Sequence, residues 1–128
     1  MEKSLFQFSN PHLESIYLEV NDASKDVDDI PIEIGMESFV HKEEPTAVVK
    51  LRIKIGEKAD DNTVLSALYF DGCIVSEFSW EEEITDIENK LRINGGTVLL
   101  SYIRPILANL TMQAGIRPLH LPFINFNK

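Results

Sequence analysis

The sequence predicts an α+β fold in which a four-stranded antiparallel sheet is packed by one long C-terminal helix, with a short helix before it. Two observations predict this class: apolar and polar residues alternate through the first half of the chain, and the last third has a helical apolar period. The alternation is clearest in TAVVKLRIKIG, residues 46–56, where Lys50, Arg52 and Lys54 fall opposite the apolar residues. Such a charged second face favours an antiparallel sheet that is covered on one side only.

Three further segments are predicted to complete the sheet. IPIEIGMESFV (30–40) lies one short turn before the clearest strand, and TVLSALYFDGCIV (63–75) lies one turn after it. LESIYLEV (13–20) also alternates, and FQF (6–8) is expected to extend that strand past a break at residues 10–11. The four strands precede every helical segment, which is the order of an α+β protein.

Two helices are predicted after the strands. Ser79 and Glu82 form a capping-box pattern for a short helix that is expected to end at Gly95. A second helix is predicted over residues 97–114, with Gly115 as its C-terminal cap.

The second helix is apolar on more than one side, and a helix of that kind must be covered on two sides. The sheet covers one side, and a second subunit is the first candidate for the other. The alternative is that the tail, residues 116–126, folds back over the helix within the monomer. On the first interpretation the expected oligomer-interface residues are Leu100, Tyr102, Leu107 and Ala114.

Composition narrows the classes of function. The 128 residues are expected to form a single domain over 1–128, and a formal net charge of −9 without a Lys/Arg cluster argues against nucleic acid as a partner. The single cysteine, Cys73, suits a reducing compartment. No signal-peptide pattern and no long apolar run is visible, so we expect a cytoplasmic protein without a membrane span.

No group of residues predicts catalysis. His12, His41 and His120 lie far apart in the sequence, and none has a neighbouring ligand at metal spacing. The sequence therefore predicts a protein that is not an enzyme, holds no metal or cofactor and works through its surface.

Several segments resemble the SecB protein-export chaperone family. FQFSNPHLESIYLEVNDAS (6–24) is similar to the family's opening strand, and VVKLRIKI (48–55) is similar to its third strand. The C-terminal LLSYIRPILANLTMQAGIRPLHLPFINF (99–126) resembles the family's F-P-Y-A-R helix and its L-x-L-x-P-V-N-F closing segment. The matching residues in this last segment are Tyr102, Arg104, Leu119, Leu121, Asn125 and Phe126.

The resemblance implies a dimeric or tetrameric chaperone, a holdase, that binds unfolded polypeptides in apolar surface grooves during protein export. Binding of this kind needs recessed apolar surface and no catalytic group. The sequence contains no counterpart of the family's shorter second helix, so we expect a more open groove. The expected peptide-binding residues are Ile30, Phe39, Leu119, Leu121, Phe123 and Phe126.

The family delivers its clients to the SecA translocase motor through an acidic sheet surface. Glu19 matches that surface, but the other two matched positions are Ser15 and Leu68, which argues against SecA as a partner. Two other interpretations stay open. One is a chaperone or adaptor dedicated to a single partner, such as a toxin–antitoxin pair. The other is a small-ligand-binding sheet-and-helix dimer.

Overall fold

The computed structural model describes residues 5–27, 30–58 and 66–127. These residues form one antiparallel sheet and one long helix, so the predicted α+β fold is confirmed. The elements in chain order are β1 (Gln7–Phe8), β2 (His12–Val20), β3 (Ile32–Val40), β4 (Thr46–Gly56), β5 (Leu68–Ser79) and α1 (Ile87–Gln113).

The central part of the sheet is β5, which pairs with β4 on one side and with both β1 and β2 on the other. The strand β3 pairs with β4 and forms the opposite edge. Because β1 and β2 follow each other along the same side of β5, they occupy the place of one strand. The predicted extension of the first strand past residues 10–11 is therefore confirmed.

The strand β4 shows how the sheet divides into two faces. Its alternate residues Ala47, Val49, Leu51, Ile53 and Ile55 are buried beneath α1, on what we call the inner face. Lys50, Arg52 and Lys54 lie on the opposite outer face, as the alternation predicts. The helix packs on β3, β4 and β5 but, within the described residues, does not contact β2.

The strand predicted over 63–75 begins later and ends later than expected, because β5 spans Leu68–Ser79. Residues 63–65 lie outside the described part of the chain. Gly72 produces no bulge, since β5 pairs with β4 in unbroken register through it. The glycine instead makes room for a ring, because a Cβ there would lie 2.7 Å from the Phe70 side chain.

The prediction of a separate short helix is wrong. Ser79 is the last residue of β5 and caps no helix, and α1 begins at Ile87. The helix then runs without interruption through Gly95 and Gly96 to Gln113.

The helix continues through the two glycines. Tertiary packing requires a residue without a side chain at both positions. A Cβ on Gly95 would lie 2.9 Å from Val49 on β4, and a Cβ on Gly96 would lie 2.7 Å from the Phe126 ring. Each glycine costs about 1 kcal/mol of helix propensity. The close approach of the helix to the sheet and to the tail offsets that cost.

The C-terminal end of α1 is the one predicted. Gly115 has φ +80°, and its N–H donates to Met112 O at 3.1 Å, while Ile116 N donates to Thr111 O at 3.0 Å. These two bonds define a Schellman motif, in which glycine is the favoured residue because its φ is positive. Among the described residues, no helix has both the length and the apolar character needed to cross a membrane.

Candidate peptide-binding surface

The tail, residues 116–126, folds back along α1 of its own protomer. As the tail proceeds, its residues bond to helix residues that lie progressively closer to the N-terminus of α1. The tail therefore runs antiparallel to the helix. Three hydrogen bonds fix the tail backbone: Leu119 N to Thr111 Oγ1 (2.9 Å), Arg104 Nε to Leu121 O (2.9 Å) and Arg92 Nη1 to Phe126 O (2.6 Å). Coverage of the helix by the tail, the alternative left open by the sequence, is therefore present within the protomer.

The tail side chains alternate between the core and the solvent from Leu119 to Pro122, and the alternation ends at Phe123. Leu119, Leu121 and Phe126 are buried, whereas Phe123 is 86% exposed. The Arg104 guanidinium lies 4.0 Å from the centre of the Phe123 ring, in a cation–π contact that holds the exposed ring against the helix.

This burial narrows the set of expected peptide-binding residues. Leu119, Leu121 and Phe126 pack in the protomer's own core, so the expectation that their side chains are available to a peptide is corrected. Ile30 is half-buried, and Phe39 and Phe123 are exposed. Peptide binding by any of the six stays a prediction, and the accessible surface belongs to Ile30, Phe39 and Phe123.

The expected interface residues divide in the same way. Leu100 and Leu107 are buried within the protomer. Tyr102 and Ala114 are exposed. A role in an oligomer interface stays a prediction for all four residues. Of these, only Tyr102 and Ala114 have side chains that a second subunit can reach.

Two hollows flank the tail. The first, the helix groove, has a volume of about 510 Å³ and lies between the tail and the outer side of α1. The second, the strand groove, has a volume of about 420 Å³ and lies between the tail and the start of β3. The helix groove is lined by Arg104, Pro105, Ala108, Asn109, Met112, Pro118 and His120. The strand groove is lined by Val27, Ile30, Ile32, Ile55, Arg117, Pro118, Leu119, His120 and Pro122.

A further apolar surface lies beside β2. Because α1 does not contact that strand, Ile16 and Val20 on the inner face stay 39% and 38% exposed. Phe8 extends this surface and packs edge-on against Tyr102 of the helix, with ring centres 6.3 Å apart. We call Phe8, Ile16 and Val20 the β2 patch.

The outer face carries ion pairs in place of apolar residues. Lys50 on β4 bonds Glu14 at 3.0 Å, and Arg52 bonds both oxygens of Asp71 on β5, at 2.9 and 2.7 Å. The hydrogen bond from Lys50 holds the pKa of Glu14 below its usual value, and the bonds from Arg52 do the same for the pKa of Asp71. Both carboxylates are therefore charged at neutral pH.

Cys73 lies between these two ion pairs. Burial is the main reason why the pKa of its thiol is raised, and the neighbouring Glu14 carboxylate adds to the shift. A raised pKa keeps the thiol protonated, which is the opposite of what a nucleophile needs. Within the described part of the chain, no three His, Cys, Asp or Glu side chains are placed to share a metal ion.

Sequence reasoning missed the residues that hold the tail. Thr111 is fully buried, accepts a hydrogen bond from Leu119 N and donates to Leu107 O at 2.9 Å. The available signal was a hydroxyl within an apolar side of the helix, between Leu107 and Ala114. Arg92 gave no signal, because an arginine near a glycine pair is ordinary in a helix.

The chain is similar to proteins of related fold. It is 30% identical over 128 residues to the uncharacterized protein MJ0357 of Methanocaldococcus jannaschii, covering 96% of this chain and 81% of that protein. It therefore belongs to the same family as MJ0357. No protein-family model matches the chain.

Solved structures confirm the predicted SecB-like fold. The SecB-like chaperone Rv1957 of Mycobacterium tuberculosis, in complex with a ChAD peptide from the Rv1956 HigA1 antitoxin, superposes with a TM-score of 0.69 at 18% identity. The match covers 94% of this chain and 91% of that one. A protein of unknown function from Streptococcus agalactiae matches with a TM-score of 0.53 at 9% identity, over 92% of this chain and 97% of the other.

Proposed function

We propose that this protein is a SecB-like chaperone, a holdase, that binds non-native polypeptide in the apolar grooves beside its tail. The observation that carries the proposal is the strand groove, in which the partly accessible Ile30 and Ile32 form an apolar wall at the β3 edge, beside Arg117 and His120. A solved protein of the same fold, described as a SecB-like chaperone and bound to an antitoxin peptide, supports a client of this kind.

Contacts between apolar side chains are sufficient to hold a client polypeptide. Burying one aliphatic or aromatic client residue contributes about 1.5–3 kcal/mol before the cost of ordering the client is subtracted. Several such contacts give useful affinity without selecting one sequence. A chaperone that binds unfolded and not folded chains shifts their equilibrium by mass action, so it needs no catalysis and no cofactor.

The test of holding is suppression of aggregation. We expect equimolar protein to lower the light scattering of a refolding substrate, without nucleotide, and Ile32→Ser to weaken that effect. Val40→Ser is the matched control, because Val40 lies on the same strand and face with nearly the same exposure but outside the strand groove. Unchanged scattering with several substrates and wild-type protein would contradict the proposal.

We further propose that the protein is a homo-oligomer, a dimer or tetramer, that buries the β2 patch. Because α1 leaves Ile16 and Val20 uncovered, a second copy is the economical cover for them. Ile16→Asp is expected to convert the oligomer to a monomer, as measured by light-scattering molar mass. A strictly monomeric wild-type protein would refute this part of the proposal.

The second candidate function is that of a chaperone dedicated to one partner, in the cytoplasm. It is favoured by the antitoxin peptide bound to the structural neighbour Rv1957. Capture from native lysate separates the two functions: many unfolded chains indicate a general holdase, and one recurring partner indicates a dedicated one. Delivery to SecA has less support, because Leu68 is fully buried on the inner face and only Glu19, of the three matched positions, offers a carboxylate.

A further inference from the structure

Charge is distributed unevenly along the chain. Glu88 is the last acidic residue of the sequence, so all 21 Asp and Glu residues precede residue 89. The chain as a whole has a formal net charge of −9, but its last part has only cationic charges. Beyond its first turn α1 is therefore cationic, and so is the tail that covers it. The cations after Glu88 are Lys90, Arg92, Arg104, Arg117 and Lys128.

The helix groove lies within this cationic part of the molecule. Its walls come from α1 and the tail, and its volume is about 510 Å³. Along the helix the lining is apolar, from Pro105 through Ala108 to Met112, and Met112 is 56% exposed. A mainly apolar hollow of this volume, with a few polar groups, has the size and character of a site for a small organic ligand.

Arg104 provides a fixed cation in this groove. Its Nε donates to Leu121 O at 2.9 Å, and the Phe123 ring lies 4.0 Å from its guanidinium carbon. Within the described part of the chain, no carboxylate pairs with Arg104 and no hydrogen bond uses its Nη groups. A guanidinium offers its N–H donors as a planar fork that matches a carboxylate. Because the side chain is already held in place, a ligand loses little free energy in ordering it.

The other polar groups of the helix groove also suit an anion. Asn109 and His120 line it, and each side chain has an N–H that can donate. Among the described residues that line the groove, none is acidic. The groove therefore combines apolar surface with hydrogen-bond donors and one positive charge, which is complementary to a ligand that is apolar along its length and anionic at one end.

The walls of the helix groove favour an alkyl chain over a polypeptide. The N–H and C=O groups of α1 bond within the helix, and Pro105 and Pro118 have no N–H. A bound polypeptide has a polar backbone that needs partners at each residue, whereas an alkyl chain needs none. A helical wall with two prolines beside it supplies few such partners.

We infer that the helix groove binds a fatty acid whose carboxylate bonds the Arg104 guanidinium. The alkyl chain lies along Pro105, Ala108 and Met112. Residues 105–112 span about 10 Å of the helix axis, so a chain of medium length fits. This inference goes beyond the proposed function, for which apolar contacts are sufficient. Clients can lie across both grooves, whereas the charge of Arg104 selects a carboxylate in this one.

The first test uses decanoate, below the concentration at which it forms micelles, and isotope-labelled full-length protein. We expect saturable changes in the amide NMR signals of Ala108, Asn109 and His120. Each methylene removed from the probe should weaken binding by up to about fourfold, because less apolar surface is buried. Decyltrimethylammonium has the same chain and the opposite charge, and it should bind at least about tenfold more weakly than decanoate. Equal binding of the two probes, or signal changes confined to other parts of the molecule, overturns the inference.

The second test removes the charge. Arg104→Gln should weaken decanoate binding about tenfold, because a charge-assisted hydrogen bond is lost. Arg117→Gln is the matched control: it removes the same charge from the tail, but Arg117 lines the strand groove and not the helix groove. If both variants weaken binding equally, net charge alone is responsible and the inference is wrong.

The third test fills the groove and leaves Arg104 with its contacts to the tail. Ala108→Leu places a larger side chain in the space of the ligand and should weaken decanoate binding about tenfold. Ala114→Leu is the control, because it makes the same change at the end of the same helix, on an exposed residue outside the groove. Leucine is a strong helix former, so the thermal midpoint of both variants should stay near that of the wild type. Unchanged affinity in Ala108→Leu overturns the inference.

A peptide with a C-terminal leucine distinguishes a fatty acid from the end of a polypeptide, since both have an apolar group beside a carboxylate. Decanoate should shift the groove signals at lower concentration than this peptide does. Tighter binding of the free-acid peptide, lost on amidation, would assign the groove to a polypeptide terminus and overturn the inference. Aggregation suppression is measured without decanoate, so the proposed function and the fatty-acid site can fail independently.

Discussion

The two faces of the sheet differ in what they contribute, although the same strands form both. On β4, Leu51 is fully buried under α1, and the next residue, Arg52, lies on the outer face with more than half of its side chain exposed. The inner face provides the free energy of folding through apolar burial, whereas the outer face provides charge at little cost to stability. The candidate binding surfaces lie towards the borders of the sheet, outside the part that α1 covers. They are the edge of β3, the grooves beside the tail and the β2 patch.

The largest expected effect belongs to the inner face. Leu51→Ala should lower the free energy of unfolding by about 2–5 kcal/mol, because it leaves a cavity between the sheet and α1. Urea unfolding measures the loss. Arg52→Ala is the control on the adjacent residue and should cost about 1 kcal/mol or less. Comparable losses from the two variants would contradict the division between the faces.

The contact between α1 and the inner face gives the second prediction. Gly95→Val places a branched side chain against Val49, where even a Cβ approaches to 2.9 Å, and should cost about 1–3 kcal/mol by overpacking. Gly35→Val is the matched control, because its Cβ would meet nothing. Thermal unfolding compares the two variants, and a Gly95→Val protein as stable as the wild type would show that the helix lies farther from the sheet.

The tail extends the inner-face core around the helix, and Thr111 is the polar residue that fixes it. Thr111→Val keeps the side-chain volume but removes the acceptor for Leu119 N, leaving a buried N–H unpaired at a cost of about 1–3 kcal/mol. Amide hydrogen exchange should accelerate at Leu119. Thr97→Val is the control, since its exposed hydroxyl bonds only Ile93 O of its own helix. Unchanged exchange at Leu119 would exclude this role.

The smallest effect is expected on the outer face and depends on pH. The bonds from Arg52 lower the pKa of Asp71 in the folded protein, so the pair stabilises the fold above the unfolded pKa of about 4. That stability is lost as the pH falls through the lower, folded pKa. The contribution should be about 1 kcal/mol or less, because the pair is partly exposed. Asp71→Asn should therefore show a flatter decline in stability between pH 5 and pH 2 than the wild type, by urea unfolding at each pH. A decline of equal steepness in both proteins would mean that another carboxylate is responsible.

Most strand positions were predicted well, because period-two alternation is a local signal, but β5 begins and ends later than expected. The segment 46–56 matches β4 residue for residue, and the break before His12 separates β1 from β2 as expected. The helix boundaries were predicted less well. Gly95 has the local properties of a stop, but its fit against Val49 is created by residues more than forty positions away. Local helix propensity is overridden wherever the free energy of such long-range packing exceeds the cost of a helical glycine, about 1 kcal/mol.

The candidate site was predicted in outline only. The sequence indicated that Ile30 and the tail carry apolar surface for a peptide, and the strand groove lies between them. It did not indicate which side chains remain accessible: Leu121 is 1% exposed, and Phe123, two residues later, is 86% exposed. Alternation in the sequence places Phe123 in the same phase as Leu121, so the point at which the alternation ends depends on the packing of the tail, which is bonded to α1 at Leu119 and Leu121.

The sequence by itself determined the fold class, the order of the strands along the chain, the two-faced character of β4 and the excess of apolar surface in the last third. These follow from periodicity and composition, which act over a few residues. Only the tertiary structure decided that α1 passes through its glycines, that the tail covers one side of it and that the edge of β3 stays open around Gly35. Each of these depends on contacts between distant segments, whose energies exceed local preferences and leave no periodic trace in the sequence.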